Sequence, residues 1–397
     1  MKTEYDYLIV GGGQTADAAA GQLRKQKPDA RIGILGDEPT GPYKRPPLTK
    51  GAWNPESENA PSISLDTAVR DVDVHVDRHV TALDPEARKA TDSQGDEWRY
   101  GKLLLATGST PRVIDALPPH DRIIYYRTLE SFRHLRRLAV AGSRIGVIGS
   151  GFIGSELAAS LTGAGCRVTM IFPEELIGAG RFPVALADFI SMYYEDRGVE
   201  LVSGASVAKG QGADDGATVE LTDGRTLEFD AVIAGLGVTP NVELAEQAGL
   251  EVDDGVVVDS HLLTSDPHIY AAGDIANFYN PALGRRLRVE HENAAISMGG
   301  MAGRNMAGGD ESYDTLPFFY SDLFDLGYEA VGDLDDRLQV YEVWRVPYGE
   351  GVVYYHDGDR VRGVLLWNVW GQVDAARQLI ASPGPVDEES LRHKIMF

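Results

Sequence analysis

The hydrophobic positions of the chain follow the same pattern twice. A short apolar run at residues 7–10 ends in three glycines, and an Ala-rich stretch and a second apolar run at 31–35 follow it. Far downstream, the apolar run 144–148 leads into a glycine-rich turn, a helical stretch and the run 167–172. Each pattern predicts a strand, a tight turn, a helix and a parallel strand. We therefore expect two βαβ units, each in its own parallel-sheet domain.

Further apolar segments predict additional strands. Residues 103–107 close on Gly108, and residues 72–80 alternate as a strand of a smaller antiparallel layer would. Residues 231–236 and 269–272 have the composition of buried strands. From about residue 316 the chain becomes rich in aromatic residues and predicted strands, which are 338–346, 352–355 and 361–370. The last two are joined through Asp357-Gly358, a strong hairpin signal, so we expect a third, α+β domain.

Composition narrows the class of protein. The chain has 397 residues, of which 43% are hydrophobic and 24% charged, and this is typical of a globular protein of two to three domains. The formal net charge of −23 argues against nucleic acid or an anionic membrane surface as a partner. We find no pattern of a signal peptide or of a membrane-spanning segment, so we expect a soluble, cytoplasmic protein.

A single cysteine, Cys166, excludes a disulfide scaffold and a catalytic CxxC pair. We interpret it as an inert buried thiol. Nine histidines without clustered ligands predict no metal site.

The two glycine-rich turns have the spacing of dinucleotide-binding motifs. The first reads GxGxxA, with Gly11, Gly13 and Ala16, and the second reads GxGxxG. Its glycines are Gly149, Gly151 and Gly154. The first glycine permits the tight turn, the second lets the backbone approach a pyrophosphate, and the third position must be small. One such motif is weak evidence, but both here follow a predicted strand and open a predicted helix.

Two dinucleotide sites suggest a tightly bound flavin and an exchangeable nicotinamide, because hydride transfer needs a donor and an acceptor. Asp37 follows the second strand of the first unit at the distance expected of a carboxylate that binds the adenosine ribose. In the second unit, Glu174 and Glu175 follow the equivalent strand, with no Arg or Lys beside them for a 2′-phosphate. We predict NADH rather than NADPH, although Glu174 could also be a solvated loop charge.

Several further motifs occur in a fixed order along the chain. They are Pro42 to Lys50 (PYKRPPLTK), Ala106-Thr107-Gly108, Gly149 to Glu156, Phe172-Pro173-Glu174, Ala272-Gly273-Asp274, Arg288 to His291 and Phe319 to Leu323. With the first glycine turn, this set resembles the FAD-dependent pyridine nucleotide reductases. It is most similar to the branch of oxygenase-coupled ferredoxin reductases and apoptosis-inducing factor. Thr49 stands where these proteins usually have Ser.

The resemblance implies an α/β fold like that of glutathione reductase, with two Rossmann-like domains and a C-terminal α+β domain. It places a discontinuous FAD domain at residues 1–115 and 242–315. The NADH domain would span 116–241, and an interface domain would span 316–397.

The resemblance also implies roles for individual residues. Lys50 would approach flavin N5 and Glu156 would pair with it, the alternative being a surface ion pair. Asp274 would bind the ribityl chain or its phosphate end, unless it is only a helix cap, and a helix starting near Ile275 would direct its N-terminus at the flavin. The other expected cofactor-binding residues are Arg45 at the pyrophosphate, Thr107 and Gly108 beside the adenosine, His291 and Tyr320 around the ring, and Val80, Gly237, Gly273 and Glu290.

The electron acceptor is left open by the sequence. The first hypothesis is a small iron–sulfur carrier, a ferredoxin or rubredoxin, that docks on a basic patch. Two candidate patches are Arg285, Arg286 and Arg288, and Arg133, Arg136 and Arg137, although these could equally be solvated ion-pair partners. The alternatives are an NADH-responsive redox sensor like apoptosis-inducing factor, and a reductase of quinones or other small oxidants. We expect a monomer or homodimer, and the acidic surface could also reflect a high-salt cell.

Overall fold

The computed structural model describes residues 2–53, 63–382 and 384–396. Its strands, β1 to β25 in chain order, are Lys2–Val10, Ile32–Leu35, Asp73–His75, Val80–Asp84, Lys89–Asp92, Glu97–Leu105, Ser109–Pro111, Ile123–Tyr125, Arg144–Ile148, Arg167–Ile171, Glu200–Val202, Val207–Ala213, Gly216–Leu221, Thr226–Phe229, Ala231–Ala234, Val238–Pro240, Val256–Val257, Ile269–Ala271, Ala276–Asn280, Arg285–Leu287, Phe318–Leu323, Leu326–Gly332, Gln339–Val346, Glu350–His356 and Val361–Trp367. Its helices, α1 to α8, are Gln14–Gln26, Leu129–Leu138, Phe152–Gly163, Val184–Asp196, Glu243–Gln247, Glu292–Met306, Val373–Ala381 and Glu388–Leu391.

The chain divides into two compact units, and each contains one of the glycine-rich turns. Unit 1 comprises Met1–Lys44, Ser62–Thr110 and Thr239–Phe318. Unit 2 comprises Arg45–Pro61, Pro111–Val238 and Phe319–Phe397. None of the helices in the described ranges is long and apolar enough to cross a membrane.

Unit 1 is built on a parallel sheet in the order β3-β2-β1-β6-β18. Strand β2 is buried at all four positions, as expected where both faces of a parallel sheet are covered. The first half of β6 pairs in parallel with β1 and also antiparallel with β5, and β5 pairs with β4. The prediction of one antiparallel strand at 72–80 was therefore wrong. Its first part is β3, which pairs in parallel with β2, and the antiparallel layer begins only at Val80.

Helices α1 and α6 of unit 1 pack closely because α6 carries glycines at the contact. A Cβ added at Gly299 would lie 2.3 Å from the carbonyl oxygen of Thr15. A Cβ added at Gly303 would lie 2.5 Å from that of Ala19. A side chain at either position would force the helices apart. The helix after the first glycine turn is thus held by a helix about three quarters of the way along the chain.

Unit 2 contains the second parallel sheet, in the order β11-β10-β9-β15-β8. An antiparallel meander, β12-β13-β14, accompanies it. The C-terminal part is an antiparallel sheet in the order β21-β22-β25-β24-β23, with α7 packed on β22 and β25. The predicted hairpin at Asp357-Gly358 joins β24 to β25. The α/β class, with two Rossmann-like sheets and a C-terminal α+β part, is confirmed.

Candidate functional site

The first glycine turn gives each of its three small residues a separate task. Gly11 has φ +119°, and a Cβ there would lie 2.0 Å from the Ala106 carbonyl oxygen. At Gly13 an added Cβ would meet no atom of the described residues within 4 Å. Ala16 is fully buried against the sheet. The chain therefore packs tightly behind the first and third positions and leaves open space at the second, where a pyrophosphate would approach.

The second glycine turn repeats this arrangement in unit 2. Gly149 has φ +103°, and its added Cβ would lie 2.5 Å from the Gly235 carbonyl oxygen. Gly151 again faces open space, whereas a Cβ at Gly154 would lie 2.1 Å from the Gly149 carbonyl oxygen. Gly13 and Gly151 precede α1 and α3 in extended conformation, so each helix directs its N-terminal N–H groups towards the turn.

Asp37 follows β2 at the carboxyl edge of the parallel sheet. Its side chain is 72% exposed and lies 3.3 Å from His79 Nδ1. Three residues further along, Thr40 Oγ1 is buried without a hydrogen-bond partner, within the part of the chain that the structure describes. A buried hydroxyl is normally satisfied, so one without a partner among the described residues, three positions after the predicted ribose carboxylate, fits a site that binds a polar group.

Glu174 and Glu175 differ in what they contact. Glu174 accepts a hydrogen bond from Ser150 Oγ, a residue of the second glycine turn, at 3.2 Å. Glu175 instead lies towards the Gly204 loop, where an added Cβ at Gly204 would be 3.3 Å from its Oε1. Only Glu174 is held at the turn, so it is the better candidate for the adenosine ribose.

The predicted turn at Thr107 and Gly108 is locked by Asn241, which sequence reasoning did not find. Thr107 Oγ1 donates to the Asn241 carbonyl at 2.7 Å, and Asn241 Nδ2 donates to the Thr107 carbonyl at 2.9 Å. Gly108 has φ +68° and open space at its Cβ position. Among the other predicted residues, Val80 is a buried core residue at the start of β4, and Gly237 has φ +82° and accepts a hydrogen bond from the Arg112 N–H.

Asp274 follows β18, at the carboxyl end of the first sheet. It accepts a hydrogen bond from Ser109 Oγ at 2.6 Å. A Cβ at neighbouring Gly273 would lie 2.4 Å from Thr15 Oγ1, so this segment lies directly against the start of α1. The predicted helix near Ile275 was wrong: a single 3₁₀ turn gives way to strand β19, because the apolar run after Asp274 suits a strand equally well.

His291 occupies the N-cap position of α6 in extended conformation. Burial lowers the pKa of its imidazole to about 4, against the opposing effect of the Asp274 charge. Glu290 accepts from Arg288 at 2.7 Å, and Arg288 also pairs with Asp254. His291 is therefore neutral at physiological pH, and Glu290 is already engaged by a guanidinium.

Lys50 and Glu156 form an ion pair in unit 2, in which Glu156 is buried and Lys50 is half-buried. Lys50 follows a rigid 3₁₀ turn, Pro46–Thr49, and Glu156 lies in the first turns of α3. The ammonium also lies 4.9 Å from the centre of the Tyr320 ring, a cation–π distance. Glu156 is only 6% exposed, so the alternative of a surface ion pair is wrong.

Two hydroxyl groups to which the sequence analysis gave no role complete this cluster. Thr49 Oγ1 donates to Glu156 Oε2 at 2.6 Å, and Ser321 Oγ donates to Oε1 at 2.7 Å. Burial raises the pKa of neighbouring Asp322; the Glu156 charge adds to this effect and the Lys50 charge opposes it. Ser321 was within a recognised motif, but no local signal paired it with a glutamate 165 positions earlier.

Arg45, which the resemblance places at the pyrophosphate, donates to the Arg127 carbonyl at 3.0 Å.

Cys166 is buried with its thiol directed at the Val140 carbonyl, and burial raises the pKa of the thiol. A raised pKa disfavours the reactive thiolate, which suits a structural cysteine.

The residues of each unit fit a dinucleotide. In unit 1, the open Gly13 position, the buried Thr40 hydroxyl and Asp274 at the carboxyl edge of the sheet suit FAD. In unit 2, the open Gly151 position and the tethered Glu174 suit NADH. The Lys50–Glu156 ion pair also lies in unit 2.

Comparison with known proteins identifies the family of the chain. Residues 5–299 match the family model described as pyridine nucleotide-disulphide oxidoreductase, and residues 345–382 match the C-terminal model of mitochondrion-associated apoptosis-inducing factor. The chain is 34% identical to the ferredoxin–NAD(+) reductase component of the anthranilate 1,2-dioxygenase system of Burkholderia cepacia, covering 97% of this chain and 96% of that protein. It is 31% identical to apoptosis-inducing factor 1 of Dictyostelium discoideum, covering 100% and 83%.

Among solved structures, the chain resembles putidaredoxin reductase in its covalent complex with putidaredoxin. The TM-score is 0.90 at 30% identity, over 98% of this chain and 95% of that one.

Proposed function

The chain belongs to the pyridine nucleotide-disulphide oxidoreductase family, and from this premise we propose that it oxidises NADH and passes the electrons, through FAD, to a small iron–sulfur carrier. As a member of this family, the chain is a flavin-dependent NAD(H) oxidoreductase. The single cysteine separates this chain from relatives that reduce disulfides, since no cysteine pair is present. The acceptor assignment is supported by relatives named for ferredoxin, putidaredoxin and rubredoxin.

The observation that carries the proposal is the pair of glycine turns, one in each unit, each tight at its first and third positions and open at its second. FAD supplies the chemistry of accepting a hydride and releasing electrons singly. The chain's own residues bind and orient: we assign FAD to residues 1–115 and 242–315, NADH to 116–241, and an interface domain to 316–397. Lys50 keeps a positive charge beside the reacting ring. We also propose a cytoplasmic location, where NADH is available.

In the basic patch predicted at residues 285–288, the arginine side chains mostly bind carbonyl and carboxylate groups of unit 1. Arg286 donates to the carbonyls of Val258 and Asn277, and Arg288 pairs with Asp254 and Glu290. On α2 the situation differs. Exposed Arg133 and Arg137 have no carboxylate partner among the described residues, although Arg137 does contact His134. An acidic carrier that binds the arginines of α2 would therefore compete with fewer carboxylates of this protein than at residues 285–288, among the residues that the structure describes.

Anaerobic rapid mixing tests the proposal. NADH should bleach the flavin absorbance, and a ferredoxin or rubredoxin should restore it faster than a quinone or oxygen does. If neither iron–sulfur protein is faster at any salt concentration, the carrier is wrong, while bleaching by NADH would still support the reductase class.

A second candidate, an NADH-responsive redox sensor, is favoured by the match of residues 345–382 to the C-terminal model of apoptosis-inducing factor. In that case NADH should change the sedimenting mass of the protein. An unchanged mass would argue against it.

A further inference from the structure

Three donors converge on the Glu156 carboxylate. The ammonium of Lys50 and the hydroxyl of Ser321 both contact Oε1, and the hydroxyl of Thr49 contacts Oε2. Thr49 has one hydroxyl hydrogen and two acceptors within reach. The Glu156 contact, at 2.6 Å, is shorter than the 3.1 Å to the Pro46 carbonyl, so the hydrogen goes to the carboxylate.

An ion pair alone would not fix this carboxylate. The terminal torsion of a glutamate is broad, and a lysine ammonium is a point charge on a flexible stem. One directional hydrogen bond to each oxygen sets the plane of the carboxylate, and that plane sets the direction in which Oε1 holds the ammonium.

The two hydroxyl groups are themselves held rigidly. Thr49 ends a 3₁₀ turn, and its carbonyl accepts from Ser160 Oγ on α3, the helix that carries Glu156, at 2.6 Å. Its β-branched side chain restricts χ1. Ser321 lies on β21 and is 1% exposed. Both donors are therefore set by backbone elements.

We infer that Thr49 and Ser321 are positioning residues for the reductive half-reaction: by fixing the Glu156 carboxylate, they fix the charge of Lys50. This inference rests on the proposed function, in which Lys50 acts beside the flavin. It explains why two buried hydroxyl groups meet one carboxylate, whereas charge balance needs only the lysine.

The test compares rapid-mixing reduction of FAD-loaded Thr49→Val, Thr49→Ser and Ser321→Ala by NADH. Thr162→Val is the matched control, because the Thr162 hydroxyl lies on α3, the helix that carries Glu156, but donates to the Ala158 carbonyl. We expect Thr49→Val and Ser321→Ala to slow reduction about tenfold, the effect of one lost hydrogen bond to a charged group, with the NADH concentration for half-maximal rate unchanged. Thr49→Ser should restore the rate, and Thr162→Val should keep it.

The same substitutions in a Glu156→Gln background distinguish the loss of carboxylate positioning from a general loss of protein stability. Once the carboxylate is gone, Thr49→Val and Ser321→Ala should slow reduction no further, because they act through it. Unchanged rates in both single variants, additive losses in the Glu156→Gln background, or an equal loss in Thr162→Val would each overturn the inference. If Ser321→Ala does not retain FAD, the test rests on Thr49 alone: slower reduction in Thr49→Val with the rate restored in Thr49→Ser supports the inference, and any other result overturns it. If Lys50→Met and Glu156→Gln themselves leave the rate unchanged, the proposed role of the pair fails instead.

Discussion

Preference for NADH over NADPH should depend on Glu174 and not on Glu175. The Glu174 carboxylate is tethered to Ser150 of the second glycine turn, whereas Glu175 lies towards Gly204. A 2′-phosphate on the adenosine ribose would therefore face the Glu174 charge. Replacing Glu174 by Gln removes this charge and keeps a group of the same shape.

The size of the effect follows from the exposure of Glu174, which places it in a medium close to water. Two unit charges about 4 Å apart in water repel by about 1 kcal/mol, and a phosphate carries about −1.5 to −2 charges. The repulsion is then about 1.5 to 2 kcal/mol, a factor of about 10 to 30 in relative kcat/KM. Added salt should reduce it.

The assay compares kcat/KM for NADH and NADPH at one ionic strength, with an artificial electron acceptor. Glu174→Gln should lower the NADH to NADPH ratio about tenfold, and the matched variant Glu175→Gln should leave it unchanged. Equal effects of the two variants, or a wild-type ratio near one, would refute the reasoning, because the tether to Ser150 would then not direct the charge at the coenzyme.

Four further outcomes are expected. The purified protein should be yellow and should release its FAD on denaturation, since the binding residues include no attachment site; a chain that stays colourless after FAD is added would contradict this. Lys50→Met should keep FAD but slow reduction by NADH, and Glu156→Gln should do so to a smaller degree, as measured by rapid mixing. Because the pKa of His291 is lowered from 6.5 to about 4, the unfolded chain binds this proton first, so stability should fall as the pH drops from about 6.5 towards 4. Thermal melts of His291→Asn should lose that part of the pH dependence. Salt should weaken electron delivery to an acidic ferredoxin if Arg133 and Arg137 face it, and the double change to Gln should raise the KM for ferredoxin while activity with a dye persists; salt that strengthens delivery would show that the net charge of −23 dominates.

The elements that sequence predicted well are those whose signal is local. Strand β9 lies where the apolar run 144–148 predicts it, and both glycine turns have the expected tight and open positions. The errors came where a local pattern is ambiguous. The apolar residues after Asp274 form a 3₁₀ turn and strand β19 rather than a helix. The segment 72–80 contains the parallel strand β3, because pairing direction depends on a partner elsewhere in the chain.

The candidate site likewise contains residues that a motif predicts and contacts that depend on distant parts of the chain. Lys50 and Glu156 were found through a resemblance, but the hydrogen bond from Ser321 to Glu156 joins residues with no sequence relation. The tether between Ser150 and Glu174 and the contact of Asn241 with Thr107 likewise depend on packing. Side-chain contacts over such separations cannot be deduced from periodicity.

The close packing of α1 on α6 has a consequence for biosynthesis. Gly299 and Gly303 meet Thr15 and Ala19, so α1 gains α6 as its neighbour only when nearly 300 further residues have been translated. At about 5–20 residues per second, the ribosome takes on the order of tens of seconds to supply them. During that interval the nascent N-terminal strand–turn–helix exposes apolar surface that α6 later covers. A bacterial host short of chaperones should therefore lose this protein to aggregation, and slowing translation after residue 26 should worsen the loss.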